Sequence, residues 1–153
     1  MQREDITPKA ICVVRDRGSI LVNEVRDPSR DEVGYRPLGG HVEFGEYTDE
    51  TVVREFREEL DAEVTNLRRL GVVENQFEWD GEPFHELIAV YDGVFEDESL
   101  YDQERIDAYE PEFDESFEAV WKPISDFEGE DAPPLFPEGL LGMLRGGTLV
   151  GRQ

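Results

Sequence analysis

The sequence predicts an α/β fold, a mixed β-sheet flanked by helices. Three observations predict it. Most apolar residues fall in short runs of β type, separated by turns built on Gly and Asp. The segment from Thr48 to Leu60 changes to a helical period. A further helical stretch, Pro137 to Leu144, follows Pro133-Pro134 near the end. A chain of 153 residues fits one domain, since domains commonly run about 100–200 residues. Residues 1–153 are therefore read as one unit, with about 145–153 as a flexible tail.

In chain order, Ala10 to Arg15 is the first strand and Ser19 to Val25 its return. Asp16-Arg17-Gly18 forms the turn between them, Gly18 supplying positive φ. Arg26 to Gly34 is polar, contains Pro28, and is read as a loop. Tyr35 to Leu38 then leads into Gly39-Gly40. In the helix that follows, Thr48 is the expected N-cap, and Asp49 and Glu50 suit the positive end of the helix dipole. Val52, Val53, Phe56 and Leu60 share an arc of about 100°, the stripe expected to face the core. Val64 to Phe77 and Phe84 to Phe95 are strands about an Asp80-Gly81 turn. Glu96 to Ser116 is acidic, lacks an apolar period and is read as a loop or insertion; Ala119 to Ile124 is a short last strand.

Charge narrows the function. There are 38 Asp and Glu against 15 Lys and Arg, a net charge of −23, and the lysines are only Lys9 and Lys122. Binding to a nucleic acid polymer is not expected, because it needs a basic face to displace counterions. No run approaches the ~20 apolar residues of a membrane helix, so no membrane partner is expected either. No signal sequence opens the chain, and Cys12 has no second cysteine to pair with, so a cytoplasmic location is expected. Many carboxylates with few lysines also suit a halophilic source, since at about 1 M salt the Debye length falls to about 3 Å and self-repulsion is screened.

The chemistry concentrates between Gly39 and Val64. On the helix, Glu55, Glu58 and Glu59 occupy one arc of about 100° beside the apolar stripe. Like charges three or four residues apart repel by a few tenths of a kcal/mol, and no lysine stands among them. A divalent cation removes that repulsion, and hard oxygen ligands suit Mg2+ or Mn2+. An acidic helix face beside a glycine turn thus points to metal-assisted chemistry on a phosphate compound. In so acidic a chain, several glutamates on one helix face also fit plain solvation.

The spacing is more specific than the charge. Gly40 is followed after five residues by Glu46, then after seven by Arg54-Glu55-Phe56, then by Glu58-Glu59. From Gly40 to Ala62 this resembles the signature of the Nudix hydrolases, Gly-x5-Glu-x7-Arg-Glu-U-x-Glu-Glu-x-Gly-U with U apolar. The early hairpin, the long strand after the helix and Trp121-Lys122-Pro123 are similar to the family's general layout. One departure is Asp61 in place of the family's helix-ending Gly, a substitution expected to cost ~1 kcal/mol without touching a ligand.

The resemblance implies an α/β/α sandwich and hydrolysis of the diphosphate linkage in a nucleoside diphosphate attached to another group. It implies that Glu55, Glu58 and Glu59 hold Mg2+ or Mn2+, helped by a backbone carbonyl of Gly39 or Gly40. It implies that Arg54 pairs with Glu46 and so orients the loop against the helix; the alternative is a surface ion pair. The general base is Glu55 or a later glutamate, with Glu110, Glu112 and Glu115 all in reach by position. Arg36 and Gly39 are candidate substrate contacts, Arg36 as a planar fork on a phosphate or else a structural ion pair. His85 is read as structural and Cys12 as packing, and Phe77, Trp79 and Phe84 as core residues rather than a base-stacking platform. A nucleotide-binding module without hydrolysis is the alternative function, although every glutamate of the signature is kept. A small-molecule nucleotide is the expected partner, and a homodimer is possible. Neither Pro nor Tyr occurs near Phe77 to Trp79, so the substrate stays open among modified nucleoside triphosphates, ADP-ribose, dinucleoside polyphosphates and nucleotide sugars.

Overall fold

A computed structural model describes residues 4–146. Its strands are β1 (Ile6–Asp16), β2 (Ser19–Asp27), β3 (Glu32–Arg36), β4 (Leu38–His41), β5 (Val64–Trp79), β6 (Glu82–Phe95), β7 (Arg105–Glu110) and β8 (Glu115–Pro123). The helices are α1 (Thr48–Leu60) and α2 (Leu140–Gly146). The sheet runs β5-β6-β1-β2-β8-β7, with β3 added to β2 and β4 to β1. It is mixed: β1 lies parallel to β6 and antiparallel to β2 and β4.

Strand β1 explains how the sheet becomes a middle layer. Its run from Ala10 to Val14 is apolar at every position, the pattern of a strand covered on both faces. Ala10, Cys12 and Val14 join Val52, Phe56 and Leu60 of α1 in one core. Ile11 and Val13 join Leu140 and Leu144 of α2 in the other. The edge of β1 is divided as well: Lys9 to Cys12 pair with β4, and Arg15 and Asp16 with β2. This division brings Gly39 and Gly40, here paired strand residues, beneath α1.

Several elements differ from expectation. The loop expected over Arg26 to Gly34 shrinks to residues 28–31, because β2 continues to Asp27 and β3 starts at Glu32. The Asp27 carboxylate organises that turn, accepting from Ser29 N and Oγ and from Asp80 N. The stretch from Glu96 to Ser116 is not a plain loop: it holds a 3-10 turn (Glu98–Asp102), all of β7 and the start of β8. Strand β7 alternates faithfully, but Ile106 and Ala108 are its only buried side chains, and an alanine leaves a faint apolar signal.

Tyr47, not Thr48, is the N-cap of α1; the Glu50 carboxylate accepts from Tyr47 N at 2.8 Å, and the Thr48 hydroxyl bonds the Tyr91 hydroxyl at 2.6 Å. Helix α2 begins at Leu140 rather than Pro137, since Gly139 has φ 96° and breaks the helical path. Arg145 and Gly146 belong to α2, and the rest of the expected tail lies outside the described residues. Phe77 and Phe84 join neither core: they stack across the β5–β6 hairpin, centroids 5.4 Å apart, with Phe84 exposed.

Candidate active site

The site is assembled from three places: the Gly39-Gly40 pair, which lies within strand β4 and not in the turn expected from the sequence, the rim of α1, and the end of β7. Gly39 lies opposite Ile11 of β1, and a Cβ there would stand 2.1 Å from the Ala10 carbonyl oxygen. Gly40 faces α1, and its Cβ would fall 2.5 Å from the Glu55 carboxylate. The second glycine therefore lets a carboxylate rest against the backbone.

Arg54 ties the loop after β4 to α1. Its Nε donates to Glu46 Oε2 at 2.7 Å, and its Nη2 to Glu46 Oε1 at 3.0 Å and to the His41 carbonyl at 2.9 Å. Its Nη1 donates to Glu55 Oε1 at 2.9 Å and reaches Glu58 Oε2 at 3.4 Å. The guanidinium holds the Glu46 carboxyl down to about 2, aided by the Glu43 N–H and the Thr51 hydroxyl. Arg54 in turn is held further into its charged form.

Glu55 and Glu59 point inward from consecutive turns of α1 and are both buried. They offer carboxylate oxygens that lie, with one from Glu110 of β7, within 4.8 Å of one another. Sequence reasoning left Glu110, Glu112 and Glu115 equivalent; only Glu110 joins this group. Glu58 stays at the half-exposed rim beside Arg54, outside the three. Glu112 reaches the site's flank, where its charge acts on His41, and its N–H donates to Glu110 Oε1 at 3.2 Å. Glu115 is exposed opposite Glu110 in the β7–β8 hairpin.

Burial and mutual repulsion dominate the electrostatics. Desolvation raises Glu55, partly offset by Arg54. Desolvation also pushes Glu59 up to about 9, with the charges of Glu55 and Glu110 adding to it and Arg36 opposing it. Arg36, the last residue of β3, thus projects its field onto the acids while remaining exposed. One Glu59 oxygen, Oε1, is buried without a hydrogen-bond partner. An unpaired buried acceptor among three crowded carboxylates is the environment a hard divalent cation satisfies, so the donor set fits Mg2+ or Mn2+.

His85 sits half-buried on β6, opposite Gln76 of β5 and Ile6 of β1. Cys12 is buried in the α1-side core, and desolvation pushes its thiol far above the ordinary range. One participant left no signal in the sequence: Thr51, a buried helix residue whose hydroxyl donates to Glu46 Oε1 at 2.7 Å.

Residues 6–139 match the family model of the NUDIX domain. Among solved structures, a MutT NUDIX hydrolase from Burkholderia pseudomallei is 22% identical, with 92% of this chain and 97% of that one covered and a TM-score of 0.64. A NUDIX hydrolase from Nitrosomonas europaea is 15% identical over 92% of this chain and 86% of that one, TM-score 0.62. A NUDIX-family hydrolase from Clostridium perfringens is 17% identical over 91% and 93%, TM-score 0.58. These likenesses share the fold. No curated protein matches the sequence significantly. The family match spans most of the chain and takes in the two glycines of β4, Arg54 and all the acids just described, and so the chain belongs to the Nudix hydrolases.

Proposed function

We propose that this Nudix hydrolase is a divalent-metal-dependent pyrophosphohydrolase that cleaves the diphosphate linkage of a nucleoside diphosphate joined to another group. The observation that carries the reading is the set of Glu55, Glu59 and Glu110 oxygens within 4.8 Å, at a glutamate, Glu59, whose Oε1 is buried and unpartnered. These three residues would hold Mg2+ or Mn2+, with Glu58 at the rim and the carbonyl of Gly40, which packs against Glu55, as a further candidate ligand. When bound, such a cation neutralises phosphate oxygens and acidifies a bound water.

The protein's own groups do the rest. Arg54, gripped by Glu46, holds the Glu55 carboxylate against Gly40. Arg36, whose charge acts on Glu59, and Gly39-Gly40 of β4 would meet phosphate oxygens of the substrate. Glu55 and Glu110 are the two carboxylates within the cluster available to take a proton from water. The substrate is a small nucleotide, and the strongly acidic surface disfavours long polyanions.

The test is a panel of nucleoside diphosphate derivatives incubated with Mg2+ or Mn2+ in molar salt and scored by product. Cleavage at the diphosphate is expected, falling by orders of magnitude in Glu59→Gln. Tight nucleotide binding without turnover on any member of the panel would favour the non-hydrolytic module instead.

A further inference from the structure

We infer that Thr51 is a positioning residue, whose hydroxyl locks Glu46 so that Arg54 presents its Nη1 to Glu55. The inference rests on the metal-dependent reading above and concerns a residue at a position the signature leaves unspecified, between Glu46 and Arg54. Thr51 is fully buried in the second turn of α1. A helical threonine commonly donates back to the carbonyl four residues earlier. Here that carbonyl, Tyr47 O, already accepts from Thr51 N at 3.0 Å and lies 3.3 Å from Oγ1. The Glu46 carboxylate lies closer, at 2.7 Å, and as an ion is the stronger acceptor.

The consequence is a saturated carboxylate. Glu46 Oε1 accepts from Thr51 Oγ1, Glu43 N and Arg54 Nη2, while Oε2 accepts from Arg54 Nε. With donors on both oxygens, the carboxylate plane is fixed, and the planar guanidinium must lie in register with it. The remaining nitrogen, Nη1, is then delivered 2.9 Å from Glu55 Oε1, beside Gly40. The buried hydroxyl thus sits two links from the acids without touching them.

Two substitutions separate the hydroxyl from the shape. Thr51→Val keeps the branched outline and removes the donor; Thr51→Ser keeps the donor and removes a methyl. Mn2+ binding, followed by electron paramagnetic resonance without substrate, and steady-state turnover are measured on each variant after circular dichroism shows it folded. Thr51→Val is expected to weaken Mn2+ binding and lower kcat roughly 3- to 10-fold with substrate KM unchanged, a part of the full effect of one charge-assisted hydrogen bond because Thr51 acts through Glu46 and Arg54. Thr51→Ser is expected to stay within about twofold of the wild type on both measures. Wild-type Mn2+ affinity and turnover in Thr51→Val would overturn the inference, as would equal impairment of the serine variant, which would mark the methyl as the cause. A wild-type chain that binds no Mn2+ would instead overturn the metal reading beneath it.

Discussion

Asp61 shows how a single residue can depart from a motif without disturbing its chemistry. It takes the left-handed conformation, φ 51° and ψ 43°, and its N–H still closes on the Arg57 carbonyl, so the helix ends where a glycine would end it. Asp tolerates that conformation at a cost, and Asp61→Gly is expected to raise stability by about 0.5–1 kcal/mol, read by urea denaturation, with turnover unchanged. Glu59 makes a second prediction. Its ordinary value is 4.5 and the folded chain pushes it up to about 9, so the folded state retains a proton that the unfolded state has released. Its contribution to stability is present below the ordinary value and lost as pH rises through the folded one. The thermal midpoint of the cation-free protein is therefore expected to carry a downward component between about pH 5 and 9, absent in Glu59→Gln. Glu46 acts in the opposite direction: lowered from 4.5 to about 2, it contributes stability that disappears as pH falls between those values. Replacing Glu46 with Gln is expected to flatten the acid limb of the same melting curve.

Among the elements, α1 was the most legible and β7 the least. The helix carries a clear 3.6-residue stripe, so its face, and with it the side occupied by Glu55 and Glu59, followed from angle alone. The angle could not separate Glu58 from its neighbours, because burial depends on what covers the rim. The β7–β8 hairpin does that covering. Its alternation is carried by Ile106 and Ala108 within a highly acidic stretch, so neither the strand nor the choice of Glu110 among three glutamates could be read from spacing. Tyr109 bonds Asp114 across the hairpin end, and Ala108 pairs with Phe117, which holds the end of β7 near α1. Glu110→Gln is expected to weaken Mn2+ binding by an order of magnitude or more, measured by titration calorimetry, while Glu112→Gln and Glu115→Gln leave it within about twofold, since their carboxylates stand outside the cluster.

For the whole molecule, the charge of −23 is unevenly matched by cations. Within the described residues, the exposed pairs Arg26–Asp31, Arg105–Glu118 and Arg57–Glu63 are the weak surface kind. Self-repulsion is left for dissolved salt to screen. Raising NaCl from dilute buffer to about 1 M is expected to raise the thermal midpoint by several degrees, and an unchanged midpoint would show that repulsion contributes little. The sheet flanked by helices was legible from the order of strands and two helices, and the α/β/α layering through the family resemblance; β1, apolar without alternation, is covered on both faces as that plan requires. The division of its edge between β2 and β4 was not, since pairing partners far apart in the chain leave no local trace.

That Glu110 arrives some fifty positions after Glu59 makes the carboxylate cluster a junction between distant stretches of the chain. Strand β4 and α1 are near neighbours in sequence, whereas the third oxygen is brought in by the β7–β8 ribbon. A captured cation would act as a clasp between these distant stretches, slowing the ribbon's local opening, so amide exchange across residues 105–123 should be the part of the molecule most retarded when Mg2+ is added.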